Sequence, residues 1–142
     1  MTPFKLHIIF GLLLILIGIV FDFLFVQGTV GQELVRANPP VLISWAKELY
    51  FLSAFYMFVL GFLNIVLALL IRYLAPSINL DWIIFGLIFA GSILVIAAGL
   101  WYANAGPSLK WETRCTVLTI GLVFVVLSIG LEIYRFFSLK NF

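Results

Sequence analysis

Cysteine and histidine are almost missing: Cys115 and His7 each stand alone. A single cysteine excludes an internal disulfide framework. One histidine excludes an intrachain bis-histidine haem, and with one cysteine it excludes a zinc site built on several such ligands. Charge is scarce as well. Only 10% of the 142 residues are Asp, Glu, Lys or Arg, where a soluble domain carries about 25%. Eight basic and six acidic side chains cannot cover a water-facing globule of this size. The net charge of +2, without a Lys/Arg run or a basic helix face, gives no reason to expect a nucleic-acid partner. The pattern calls for no metal and no cofactor. No histidine is placed to act as base for a serine, threonine or cysteine nucleophile, and no glycine-rich phosphate loop occurs.

What the chain has instead is apolar sequence, 65% of all residues. Lipid is therefore the solvent for most of its surface. A bilayer core needs about 20 apolar residues in helical form. Four stretches qualify, at 4–27, 47–73, 81–102 and 113–137. An open strand cannot span lipid, because its edge amides stay unpaired, and the runs are too long and uniform for barrel strands. The first run resembles a secretory h-region preceded by Lys5, but it exceeds the roughly 7–15 residues of such a segment. The residues after it, Gln27-Gly28-Thr29-Val30-Gly31, make a poor cleavage site. It is read as a retained span.

These features predict an all-α integral membrane protein: a single domain over 1–142, folded as an antiparallel bundle of four transmembrane helices with short loops. Asn38-Pro39-Pro40 reads as a helix start, with Asn38 as N-cap and Pro39 in the first turn. The first loop, 28–46, is thus partly an interfacial helix, and Trp45 marks the boundary. Four spans put both termini on one side, called A here; the other is side B. Lys5, Arg72, Arg135 and Lys140 lie toward A, and Arg36, Lys47, Lys110 and Arg114 toward B. Four against four gives no positive-inside signal. The short second loop and the amino terminus favour a cytoplasmic side A in this multi-pass protein.

Each span carries a glycine followed seven positions later by a small residue. The pairs are Gly11 and Gly18, Gly61 and Ala68, Gly91 and Ala98, and Gly121 and Ser128. Seven residues is two helical turns, so each pair shares a face, and such faces let helices associate in lipid. They serve packing within the bundle or an oligomer contact. In spans one and four the face continues at +11 into an acid, Asp22 and Glu132.

The few polar residues inside the spans are the candidate site. Asp22 lies about 7 Å inside the side B end of span one, and an acid in lipid calls for a partner or water. Arg114, which opens span four, can reach toward it, and Arg36 is a second candidate. Asp22 is read as a structural ion pair or as a proton- or cation-binding carboxylate. Glu132 and Arg135 stand at i and i+3 near side A and can pair, which at a membrane boundary suggests a solvated structural pair. Asn64 sits mid-span, in an arc with Ser53, Met57, Gly61 and Ala68 that must face the interior or another chain; its amide is a cross-helix hydrogen bond or a ligand contact. Side B gathers Trp45, Lys47, Glu48, Trp101, Tyr102, Trp111 and Glu112, an aromatic belt or a lipid-headgroup pocket between helix ends.

Missing catalytic motifs and short loops point away from an enzyme. They suit an accessory or assembly subunit, or a scaffold, that associates through its small-residue faces in a homo-oligomer or with another membrane protein, surrounded by membrane lipid. The alternatives are a small oligomeric transporter or channel using Asp22, and a membrane-embedded lipid-modifying enzyme with its site on side B.

Overall fold

The computed structural model describes residues 2–27, 41–74, 78–106 and 110–139. Four long helices account for nearly all of them, and there is no strand among them. Helix α1 is Pro3–Phe21, continued by a π-helical turn at Asp22–Gln27. Helix α2 is Val41–Tyr73, α3 is Ile78–Ala105 and α4 is Thr113–Leu139. Each contains a segment long and apolar enough to cross a membrane: Pro3–Gln27, Trp45–Tyr73, Asn79–Ala105 and Thr113–Ser138. The chain is a multi-pass membrane protein of all-α class.

Helix α2 has 33 residues, so it is about 50 Å long at 1.5 Å per residue. A hydrocarbon core is about 30 Å thick, so the first turns of α2 project past it, as the sequence suggests for the stretch before Trp45. Asn38, Pro39, Arg36 and Lys140, singled out above, lie outside the described residues.

Burial follows a heptad on every helix. The buried residues of α1 are His7, Gly11, Leu14 and Gly18. On α2 the stripe runs through Ser53, Met57, Leu60, Asn64, Leu67 and Ile71, and on α3 through Asp81, Ile84, Ile88, Val95 and Ala98. On α4 it runs through Gly121, Val125, Ser128, Glu132 and Arg135. The opposite faces present Leu, Ile, Val and Phe outward, as lipid requires. At the π-helical turn the stripe slips: burial passes from Gly18 to Val26 and leaves Asp22 half-buried.

The small residues sit where backbones cross. A Cβ on Gly11 would come within 2.7 Å of the Gly61 carbonyl oxygen, and one on Gly91 within 2.9 Å of the Gly121 carbonyl oxygen. These contacts close two hairpins, α1 on α2 and α3 on α4. All eight residues of the glycine-plus-seven pairs are buried within one chain. The structure thus assigns these faces to intrachain packing, and a partner would have to use other surfaces.

The hairpins join mainly through α2 and α3, and α1 also touches α3. Helix α4 leans on α3 and only grazes α2. A groove is left between α2 and α4 toward side A. At side B, Gly106 ends α3 with φ of 74°, a left-handed conformation that suits glycine at a helix C-terminus.

Candidate functional site

Toward side A the buried stripes of α1, α3 and α4 end in polar residues, and α2 contributes Asn64 from mid-span. Helix α1 brings His7, four residues past its start, with no exposed surface. Its Nδ1 lies 3.1 Å from the Asn64 side-chain oxygen on α2. The Asn64 amide nitrogen donates to the Leu60 carbonyl at 2.9 Å, so its oxygen is left to accept and His7 Nδ1 donates. His7 Nε2 has no hydrogen-bond partner among the described residues. The ring meets Phe85 of α3 edge-on at 5.0 Å between centroids.

One turn before Phe85, Asp81 binds Arg135 of α4, with Nη1 donating to Oδ1 at 2.6 Å. The same Nη1 lies 3.6 Å from Glu132 Oε1. All three side chains are buried. Asp81 lies in the first turn of α3, where an acid also suits the helix dipole. Glu132 is seven residues before the end of α4, about 10 Å along its axis. Neither of its oxygens has a hydrogen-bond partner among the described residues.

Two carboxylates thus share one guanidinium inside the bundle. Asp81 also borders a cavity of about 350 Å³ with Thr2, Pro3, Phe4 and Arg72, at the side A rim. Arg72 is exposed there, its guanidinium 5.8 Å from the Phe4 ring centre. Glu132 borders the groove between α2 and α4, a second cavity of about 320 Å³. Arg135 stands between the two openings.

This placement corrects two expectations. Glu132 and Arg135 are not a solvated boundary pair: they are 3% and 5% exposed, and Arg135 reaches across to Asp81 of α3. The reason is their register, which continues the Gly121–Ser128 stripe one and two turns further. Asp22 and Arg114 are not brought together either. Asp22 accepts a hydrogen bond from Gln27 at 3.1 Å, because the wider π-helical turn places residue 27 above residue 22. Arg114 donates to the Gly106 carbonyl at 2.9 Å, lies 2.7 Å from Glu112 and stacks over Tyr102 at 4.6 Å. It clamps the α3–α4 connection, and α1 makes no substantial contact with α4.

The remaining side B residues keep their end of the bundle. Trp45, Trp101 and Trp111 are exposed, and Glu48 is exposed beside half-buried Lys47. The Tyr102 hydroxyl lies 2.6 Å from Cys115 Sγ, and Tyr50 donates to Asn104 at 2.8 Å. Among the described residues, no group of three or more His, Cys, Asp or Glu side chains could hold a metal ion.

Local spacing could not reveal Asp81, which is 54 residues from Arg135. His7 carried a usable signal: it lies four residues before Gly11, on the packing face of α1.

No family model, curated protein or solved structure matches the chain. Its class follows from its own architecture: a four-helix multi-pass membrane protein with a charged cluster buried between its helices.

Proposed function

We propose that this protein is a small membrane carrier whose working centre is the Asp81–Arg135–Glu132 cluster, backed by His7 and Asn64. The supporting observation is the charge imbalance: two buried carboxylates face one buried guanidinium. An uncompensated charge in a low-dielectric interior is expensive. Ionisable groups kept within membrane spans commonly serve ion, proton or substrate pathways. A proton or a cation that loads and leaves Glu132 balances the cluster in one state and unbalances it in the other. The edge that responds is the loosely packed one, α4 against α2. Four helices enclose little room, so the carrier works as a homo-oligomer or beside another membrane protein, through outer faces rather than the glycine stripes. Its termini lie on the cytoplasmic side.

Infrared difference spectra between acid and alkaline buffer test the centre directly. A carboxylic-acid band that disappears in Glu132→Gln and persists in Asp22→Asn is expected. Liposomes carrying the wild type should take up protons under an imposed potential, and Glu132→Gln should not. An unchanged band together with wild-type uptake in Glu132→Gln would remove the proposal.

A second reading, an accessory subunit or scaffold, draws on the two backbone crossings at Gly11–Gly61 and Gly91–Gly121. They make a tightly closed pair of hairpins, in which the cluster would fix the register of α3 on α4. That reading requires assembly with a partner to survive Glu132→Gln.

A further inference from the structure

The two acids of the cluster differ in their access to water. Glu132 is shut inside: its side chain is 2% exposed, and both carboxylate oxygens are buried without a hydrogen-bond partner among the described residues. The groove outside it is walled by Leu63, Leu67, Leu70 and Phe136, along which a proton meets no polar group. Asp81 keeps 6% of its side chain exposed and borders the cavity of about 350 Å³ at the side A rim. Exposed Thr2 and Arg72 line that cavity with it. Water needs a polar site with at least about 10–15 Å³ of such volume for one molecule, and this cavity is both polar and roomy.

Arg135 Nη1 stands between the acids, 2.6 Å from Asp81 Oδ1 and 3.6 Å from Glu132 Oε1. A movement of about 1 Å exchanges the closer partner. One guanidinium neutralises one carboxylate, and a second carboxylate in this interior is far less costly with a proton on it. The observed geometry is that of a proton on Glu132 and an ion pair on Asp81. The other ionisable groups around the cluster are His7 on α1, hydrogen-bonded to Asn64, and exposed Arg72 on α2.

We propose that Asp81 is the residue through which the cluster exchanges protons with water in the side A cavity, and that Arg135 pairs with whichever carboxylate lacks the proton. A hydronium ion in the cavity gives its proton to the Asp81 carboxylate and leaves as water. Arg135 then closes on ionised Glu132. When the proton passes on to Glu132, Arg135 returns to Asp81, which is the geometry observed. This rests on Glu132 as the working centre and names the residue and the side through which that centre loads.

Infrared spectroscopy of the full chain in phosphatidylcholine nanodiscs tests both halves. After a jump into heavy water, the Glu132 carboxylic-acid band shifts as deuterium replaces its proton, and the rate reads access. In a Cys115→Ala background, fluorescein maleimide attached to Thr2→Cys fills the cavity and should slow that exchange at least tenfold. Val66→Trp, which fills the α2–α4 groove from its exposed rim, should leave the rate unchanged. Asp81→Asn removes the rival acid for Arg135, so at neutral pH the Glu132 acid band should give way to a carboxylate band, and Asp81→Glu should restore it. Full-speed exchange with the cavity filled, slowing by Val66→Trp instead, or an undiminished acid band in folded Asp81→Asn overturns the proposal. If Asp81→Asn does not fold, the filled cavity decides alone. If the wild-type acid band titrates but exchanges equally fast with the cavity filled, the role of Asp81 falls and Glu132 stands as the working centre. If wild type shows no Glu132 band at any pH, both fall.

Discussion

Removing the three charged members of the cluster one at a time should give three different costs, and the geometry sets their order. Arg135→Gln leaves two buried carboxylates without a cation. Breaking a buried pair by removing one partner costs about 3–5 kcal/mol, and this variant belongs at the upper end because two acids are stranded. Asp81→Asn removes the 2.6 Å partner, but Glu132 remains 3.6 Å from Arg135, so about 3 kcal/mol is expected. Glu132→Gln removes a carboxylate that holds no hydrogen bond among the described residues and leaves one acid for one base. It should change stability by less than about 1 kcal/mol, of either sign. The assay is reversible unfolding by dodecyl sulfate in mixed micelles, followed by tryptophan fluorescence. A loss for Glu132→Gln as large as that for Asp81→Asn would refute the reasoning, because it would mean that Glu132 is a stabilising partner rather than the surplus charge.

Gly11→Val and Gly91→Val should each destabilise the fold strongly in the same assay, because the new Cβ meets backbone oxygen at 2.7 and 2.9 Å; overpacking of this kind costs about 1–3 kcal/mol or more. Gly86→Ala, with nothing within 4 Å, should instead stabilise α3 by up to about 1 kcal/mol. Asp22→Asn should cost less than about 1 kcal/mol, since its carboxylate accepts from exposed Gln27; a large loss would return attention to side B. Cys115, the sole cysteine and half-buried at side B, should be alkylated in intact cells by a membrane-impermeant maleimide if the termini are cytoplasmic. Labelling only after permeabilisation would reverse the topology.

The helices were legible because lipid imposes a single solution on long apolar runs. The arc of Ser53, Met57, Gly61, Asn64 and Ala68 was legible because polar and small residues gather on the face that avoids lipid, and all five are buried. The charged cluster was legible only in pieces. Glu132 and Arg135 could be paired by their i, i+3 spacing, but a boundary residue reads as solvated unless its register is traced back along the helix. That trace was present, since 121, 128, 132 and 135 share a face. Asp81 could not be found that way, because its partner belongs to another helix. Asp22 misled for a related reason. Its +11 spacing from Gly11 matches that of Glu132 from Gly121, but the π-helical turn shifts the register where it matters. Equal spacing therefore gives one acid buried on Arg135 and another half-buried beside Gln27.

The two ends of the bundle hold their buried arginines differently. At side B, Arg114 is as buried as Arg135, but its contacts stay within its own hairpin: the Gly106 carbonyl, Glu112 and the Tyr102 ring. One acid meets that base there. At side A, Arg135 has two acids to answer, and the second is shut inside the bundle behind a groove that α4 leaves open by packing on α3 rather than α2. A bundle needing only rigidity gains nothing from a second buried carboxylate. Replacing both Asp81 and Arg135 with apolar residues of similar volume should therefore leave a folded protein, as buried ion pairs often can be replaced without loss. Glu132 would then be left inside the bundle without Arg135 beside it. If stability is retained while Glu132-dependent proton uptake is lost, Arg135 serves to position and tune the carboxylate; if uptake survives unchanged, the arginine is only structural.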